Sequence, residues 1–175
     1  MWQTAAALEI YFISGMEIMM SQLKCDFKVV GPVQTNCYFL SNTDTRECVI
    51  VDPGEEAGKI ADFIEKKELK PIAILLTHGH FDHIGAVDEI RNRYGIKVYA
   101  AAAEKETLEN PDINLSSQFG GGYTVKADEF LNDGQEIELL GEKVRCLLTP
   151  GHTKGGMCYY FTGSGILFSG DTLFQ

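Results

Sequence analysis

The chain has 175 residues, of which 45% are hydrophobic, enough for one domain with a sizeable core. Its 15 Lys and Arg against 25 Asp and Glu leave a net charge of −10, so a nucleic-acid partner is not expected. No run of about 18 uncharged apolar residues occurs, so no membrane span is expected.

The chain begins "MWQTAAALEIYFISGMEIMM". No Lys or Arg precedes Lys24, and Glu9 and Glu17 interrupt the apolar run, which makes a poor secretory signal. Met16, Met19 and Met20 each offer an alternative start. Residues 1–22 read as an N-terminal extension outside the fold or, alternatively, as a short amphipathic helix on its surface, and residues 23–175 as the domain.

"CDFKVVG", "NCYFLSN" and "ECVIVD" are rich in β-branched and aromatic residues and separated by turn residues, as antiparallel strands would be. After the turn Asp52–Pro53–Gly54, Ile60, Phe63 and Ile64 share one face of a helix ending at Pro71. The unbroken apolar run Ile72 to Leu76 predicts a buried central strand. Ile84, Val87, Ile90 and Tyr94 mark a second helix closed by Gly95, followed by the strand "IKVYA" and the short helix "AEKETLEN". Residues 111–129 read as a long polar loop, either a functional lid or disordered. Strands follow at "QEIELL", "KVRCLLT", "MCYYFT" and "GILFSG". Strands alternating with helices in the first half, then mostly strands, predict an α/β (α+β) arrangement of sheet layers with helices outside.

Five cysteines, an odd count without CxxC spacing, form neither a disulfide framework nor a zinc ribbon. All lie in apolar, strand-like runs and are expected to be buried in a reducing, cytoplasmic setting.

Three of the four histidines crowd into "LLTHGHFDHIGA", Leu75 to Ala86. His78 and His80, two apart in a turning backbone, can point the same way and share an ion. Asp82 and His83 follow where the loop bends into a helix and can face a second point nearby. Nitrogen and carboxylate donors without thiolates suit zinc, iron or manganese. The fourth histidine, His152, sits in the tight turn "TPGHTKGG", and Asp171 follows a strand in "FSGDTLF". Each alone reads as a turn residue, but loops at strand ends can bring them together. The imidazoles of His78, His80 and His152 are then expected to face one point.

"THGHFDH", "TPGHTKGG" and "FSGDTLF", in this order, resemble the metallo-β-lactamase superfamily, and more narrowly its hydroxyacylglutathione hydrolase (glyoxalase II)-like members. The resemblance runs from "VVGPVQTNCYFL" to the last residue; the HxHxDH motif is specific for the superfamily and only weakly for substrate. It implies an αβ/βα sandwich and two zinc ions, with iron or manganese as alternatives. In that scheme His78, His80 and His152 hold metal one, Asp82 and His83 hold metal two, and Asp171 bridges them. Asp52 then resembles a carboxylate steadying the ligand loop, or is simply the first residue of a turn.

The family carries a further metal-two histidine after its GDTLF motif, whereas this sequence ends at Gln175. The resemblance therefore implies a C-terminally shortened form lacking the last strand and helix segment, with metal two weakened. The expected reaction is hydrolysis of a small-molecule thioester by a hydroxide bridging the metals and oriented by Asp82. Two alternatives stay open: a mononuclear iron persulfide dioxygenase of the same superfamily using His78, His152 and Asp171, and an inactive metal-binding remnant. The common zinc β-lactamases carry Arg at the His83 position and Cys at the Asp171 position, and the net charge of −10 disfavours an RNA-processing member.

Overall fold

Among the described residues ten strands form, and they fall into two sheets. The structure is a computed structural model; it describes residues 22–119 and 121–173. The expected extension over residues 1–22 lies outside the described residues except for Gln22.

The first sheet has the order β1-β2-β3-β4-β5-β6. Its strands are β1 (Leu23–Val30), β2 (Thr35–Asn42), β3 (Glu47–Val51), β4 (Lys70–Leu75), β5 (Lys97–Ala101) and β6 (Glu129–Leu131). The pairings β1/β2 and β2/β3 are antiparallel, as the closely spaced turns require, and β3 through β6 pair in parallel. Antiparallel β7 (Glu136–Leu139), β8 (Glu142–Leu148), β9 (Met157–Phe161) and β10 (Ile166–Phe168) make the second sheet.

The central strands are buried on both faces, which explains their near-continuous apolar sequences. Phe39, Ile50 and Ile74 join one cluster with Ile60 and Ile64 of α1 (Ala57–Lys66), Ile84 of α2 (Phe81–Ile84), and Val87 and Ile90 of α3 (Val87–Tyr94). Their neighbours Leu40, Val49, Val51, Ala73 and Leu75 point the other way, packing with Val144, Cys146, Tyr159 and Phe161 of the second sheet. The described residues thus form helix, sheet and sheet layers, the sandwich expected of the sequence. Two ties cross between the sheets beside the site: the Tyr159 hydroxyl donates to the Leu76 carbonyl at 2.8 Å, and the Met157 N–H to that of Thr77 at 2.8 Å.

Four details depart from the sequence reading. The first helix stops at Lys66, and Pro71 lies inside β4, at a register shift opposite Cys48. The single helix expected from Ile84 to Tyr94 breaks between α2 and α3, where the Ala86 N–H turns to the Pro53 carbonyl at 3.0 Å. The loop 111–129 contains a turn of helix (Ser116–Phe119) and ends in β6, a strand too short to carry a pattern. Phe119 stacks on Phe81, ring centroids 4.7 Å apart. Cys25 is exposed, not buried as expected, because edge strand β1 is only partly covered; the other four cysteines are buried and free.

Among the described residues, no helix is long and apolar enough to cross a membrane.

Candidate metal centre

The carboxyl ends of the parallel strands are where α/β folds place ligands, because loops diverge there and leave a crevice. His78 and His80 leave β4 at that end, and Asp52 leaves β3 beside them. The β8–β9 loop brings His152, and the short turn Gly170–Thr172 after β10 brings Asp171. The β3 loop packs so closely on the histidine loop that a Cβ on Gly54 would lie 1.7 Å from the Asp82 carbonyl oxygen, so only glycine fits.

The rings of His78, His80 and His152 form a near-equilateral triangle. Centroid separations are 4.8 Å for His78–His80, 4.8 Å for His78–His152 and 4.6 Å for His80–His152. Interplanar angles of 85°, 79° and 87° make the rings mutually near-perpendicular. His80 Nδ1 and His152 Nε2 are 2.9 Å apart. Ligand-capable atoms of this trio lie within 4.8 Å of one another, and so do those of His78, His83 and Asp171. The expected convergence of residues nearly a hundred positions apart is therefore present.

Asp171 reaches both groups: Oδ1 is 3.4 Å from His83 Nε2, and Oδ2 is 3.4 Å from His152 Nε2. Asp82 stands at the edge, its Oδ2 3.5 Å from His83 Nε2 and accepting a hydrogen bond from the Thr35 hydroxyl at 2.7 Å. It is outside the second tight group, where His78 stands instead.

Asp52 takes its place in a left-handed backbone conformation (φ 52°), which Asp tolerates better than most residues. Its Oδ1 accepts from the Thr77 N–H at 2.8 Å, and its Oδ2 from the Thr77 hydroxyl at 2.6 Å. The same Oδ2 lies 3.0 Å from His83 Nδ1, so this nitrogen donates and Nε2 is left facing the cluster. Of its two sequence readings, the loop-steadying carboxylate matches these contacts. The Thr77 hydroxyl, already donating to Asp52, accepts from His78 Nδ1 at 3.2 Å. His78 Nε2 then carries a lone pair, is buried, and has no hydrogen-bond partner. A buried acceptor without a donor is costly, and a cation among three imidazoles would satisfy it. The donor set thus fits a divalent metal of the zinc, iron or manganese kind.

The electrostatics separate the histidines. Burial and the neighbouring imidazoles His83, His80 and His152 push the His78 pKa far below its ordinary value. His80 is lowered too, by burial and then by His152. For His83, burial opposes the charge, but Asp52, Asp171 and Asp82 outweigh it and hold the pKa at about 10. Burial of Asp171 also opposes ionisation, yet hydrogen bonding and attraction from His83 pull its pKa down. His78 and His80 are thus kept neutral beside an ionised carboxylate, the protonation state that metal coordination needs, whereas His83 without a metal holds a proton at neutral pH that a metal on its Nε2 would displace.

Every residue expected at the site is thus in one cluster at one edge of the sandwich. Sequence reasoning missed Thr35, Thr77 and Glu104, which bind the cluster's backbone and side chains. Thr77 adjoins the motif and could have been suspected; Thr35 and Glu104 lie far from it in sequence.

The family model described as "Metallo-beta-lactamase superfamily" matches residues 30–175. A Bacillus subtilis (strain 168) protein named "Probable metallo-hydrolase YqgX" is 44% identical over 148 residues, covering 83% of this chain and 69% of its own length. Also from that strain, "Probable polyketide biosynthesis zinc-dependent hydrolase PksB" is 36% identical over 152 residues, and the alignment spans 83% of this chain and 61% of PksB. The crystal structure of BLEG-1 B3 metallo-beta-lactamase superposes with a TM-score of 0.81 and 42% identity, over 87% of this chain and 74% of that one. TTHA1623 in a di-iron-bound form superposes with a TM-score of 0.71 and 31% identity, over 86% and 73% respectively.

Proposed function

The chain belongs to the metallo-beta-lactamase superfamily, and we propose that this metal-dependent hydrolase cleaves a small-molecule thioester of the hydroxyacylglutathione type with two metal ions, zinc foremost. The observation that carries the reading is the perpendicular three-imidazole triangle around the unpartnered Nε2 of His78. Kinship with PksB, named as zinc-dependent, supports zinc; TTHA1623, named in a di-iron-bound form, keeps iron in play.

His78, His80 and His152 would hold one metal, and His83, Asp82 and Asp171 a second, with Asp171 reaching toward both. When bound, the metals supply Lewis acidity toward a substrate carbonyl and a water. Asp82, oriented by the Thr35 hydroxyl, accepts a proton from the attacking water. Asp52 keeps Nδ1 of His83 engaged and so fixes the direction of its Nε2. In hydrolysis the carbonyl carbon gains the water oxygen, the C–S bond breaks, and a thiolate leaves. That leaving group needs no strong acid, which suits a site built of lone pairs and carboxylates. Cys37, Cys48 and Cys146 are not activated nucleophiles: burial pushes the Cys48 thiol up to about 12 and Cys146 up to about 11, and raises Cys37 well above its ordinary value. A cleft of about 250 Å³, bordered by His80, His152, Thr107, Ile113 and Lys154, offers a small substrate access to the histidines.

A second reading, β-lactam hydrolysis, is favoured by the likeness to BLEG-1. One assay series separates the readings. The zinc-loaded protein is offered hydroxyacylglutathione thioesters, simple acyl thioesters and β-lactams, and the iron-loaded protein a persulfide with oxygen uptake recorded. Thioester turnover exceeding β-lactam turnover by more than about tenfold in kcat/KM, or about 1.4 kcal/mol in barrier, is expected. Preferential β-lactam cleavage, or oxygen uptake without thioester turnover, would replace the proposal.

A further inference from the structure

Glu104 ends the short turn Ala102–Glu104 just past β5 and is 1% exposed. Its carboxylate is fully used. Oε1 accepts from the Gly79 N–H at 3.0 Å; Oε2 accepts from the Thr153 hydroxyl at 3.0 Å and the Gly155 N–H at 2.7 Å. Gly79 lies between His78 and His80, and Thr153 follows His152. One oxygen therefore holds the histidine loop of the first sheet, and the other holds that of the second.

A buried carboxylate is costly unless donors meet its lone pairs, and when they do, the charge-assisted bonds are short and directional. Here the donors come from both loops, so displacing either loop breaks the pattern. The fit is close as well: a Cβ on Gly155 would lie 2.3 Å from the Glu104 backbone nitrogen and 2.4 Å from Oε2. A side chain there would drive the His152 loop away.

We propose that Glu104 is a positioning residue: with one carboxylate oxygen on each loop, it sets the separation of the His78/His80 pair from His152 and hence the affinity of the three-imidazole site for its metal. The inference rests on the metal-centre reading above. Glutamine at this position would present an amide NH2 to an N–H or O–H donor on one side, releasing one loop while nearly preserving volume.

The test compares wild type, Glu104→Gln, Thr153→Val and, as a reference for general destabilisation, Cys146→Ala in the second-sheet core. Zinc affinity is measured by competition with a chromophoric chelator, and amide hydrogen exchange at Gly79 and Gly155 is followed in the metal-free proteins. Glu104→Gln should bind zinc about 10–100-fold more weakly, with faster exchange at one or both glycines. Thr153→Val, which loses a single bond, should show a smaller loss in the same direction and carries the test alone if Glu104→Gln does not fold. Cys146→Ala should keep its zinc affinity within about twofold while losing stability. Wild-type affinity and unchanged glycine exchange in Glu104→Gln, or an equal affinity loss in Cys146→Ala, would overturn the proposal. A wild type that takes up no zinc would instead remove the metal reading; glycine exchange then decides the clamp, unchanged protection refuting it.

Discussion

On the first-sheet side of the cluster, His78 and His83 are buried, and the outward nitrogen of each is engaged: Nδ1 of His78 by Thr77, Nδ1 of His83 by Asp52. On the second-sheet side, His152 has a side chain 41% exposed and is placed by its neighbours: Thr153 and Gly155 on Glu104, and Thr149 within 3.0 Å of the Thr172 hydroxyl beside Asp171. One half of the centre is thus organised by the folding of a buried parallel sheet, the other by loops anchored to it. Damage to the first half should cost stability and metal together, whereas damage to the second should cost metal and activity with little loss of stability.

The largest effect should come from the residue both tight groups share. His78→Ala removes the buried, unpartnered Nε2 at the centre of both groups, and metal affinity should fall by more than the roughly 10–100-fold that follows loss of a supporting hydrogen bond. His80→Ala should likewise abolish hydrolysis, as metal analysis beside a thioester assay would show. An active His80→Ala protein with its metal retained would break the picture. Next comes Asp52→Ala, which strands the Thr77 N–H and His83 Nδ1 in a buried site. It should cost about 3 kcal/mol, on the order of 10 °C in Tm, and weaken metal binding. His152→Ala should lose comparable metal affinity with less than about 1 kcal/mol of stability. Equal thermal losses for Asp52→Ala and His152→Ala would erase the distinction between the halves.

The first half was the more legible in sequence for the same physical reason. Its ligands lie within one short motif, and its strands, buried on both faces, read as apolar runs. His152 and Asp171 gained weight only in combination with that motif, and their separate ligand roles only through resemblance, since each alone is a plain turn residue. Glu104 was invisible: in "AEKETLEN" it is one acid among several, and its burial depends on donors 25 to 51 residues away. The break between α2 and α3 also comes from a tertiary bond, Ala86 to Pro53, that no periodicity records. The strand β6 owes its existence to pairing with β5, not to its own three residues.

Two smaller effects sharpen the contrast. Thr35→Val frees Asp82 from its 2.7 Å hydrogen bond; kcat should drop several-fold with KM nearly unchanged and stability altered by about 1 kcal/mol or less. A KM effect alone would reassign Asp82 to substrate binding. Smallest for function is Cys146→Ala, fully buried away from the cluster, which should cost about 1 kcal/mol in denaturant unfolding and leave kcat/KM within about twofold.

The central claim is that the converging imidazoles are a metal centre, and metal content tests it most directly. Wild type and His78→Ala would be loaded with zinc, desalted against a weak chelator and assayed for bound metal per chain. The account predicts zinc retained by wild type and lost from a folded His78→Ala protein; a wild type that keeps none, or a variant that keeps as much, would contradict it.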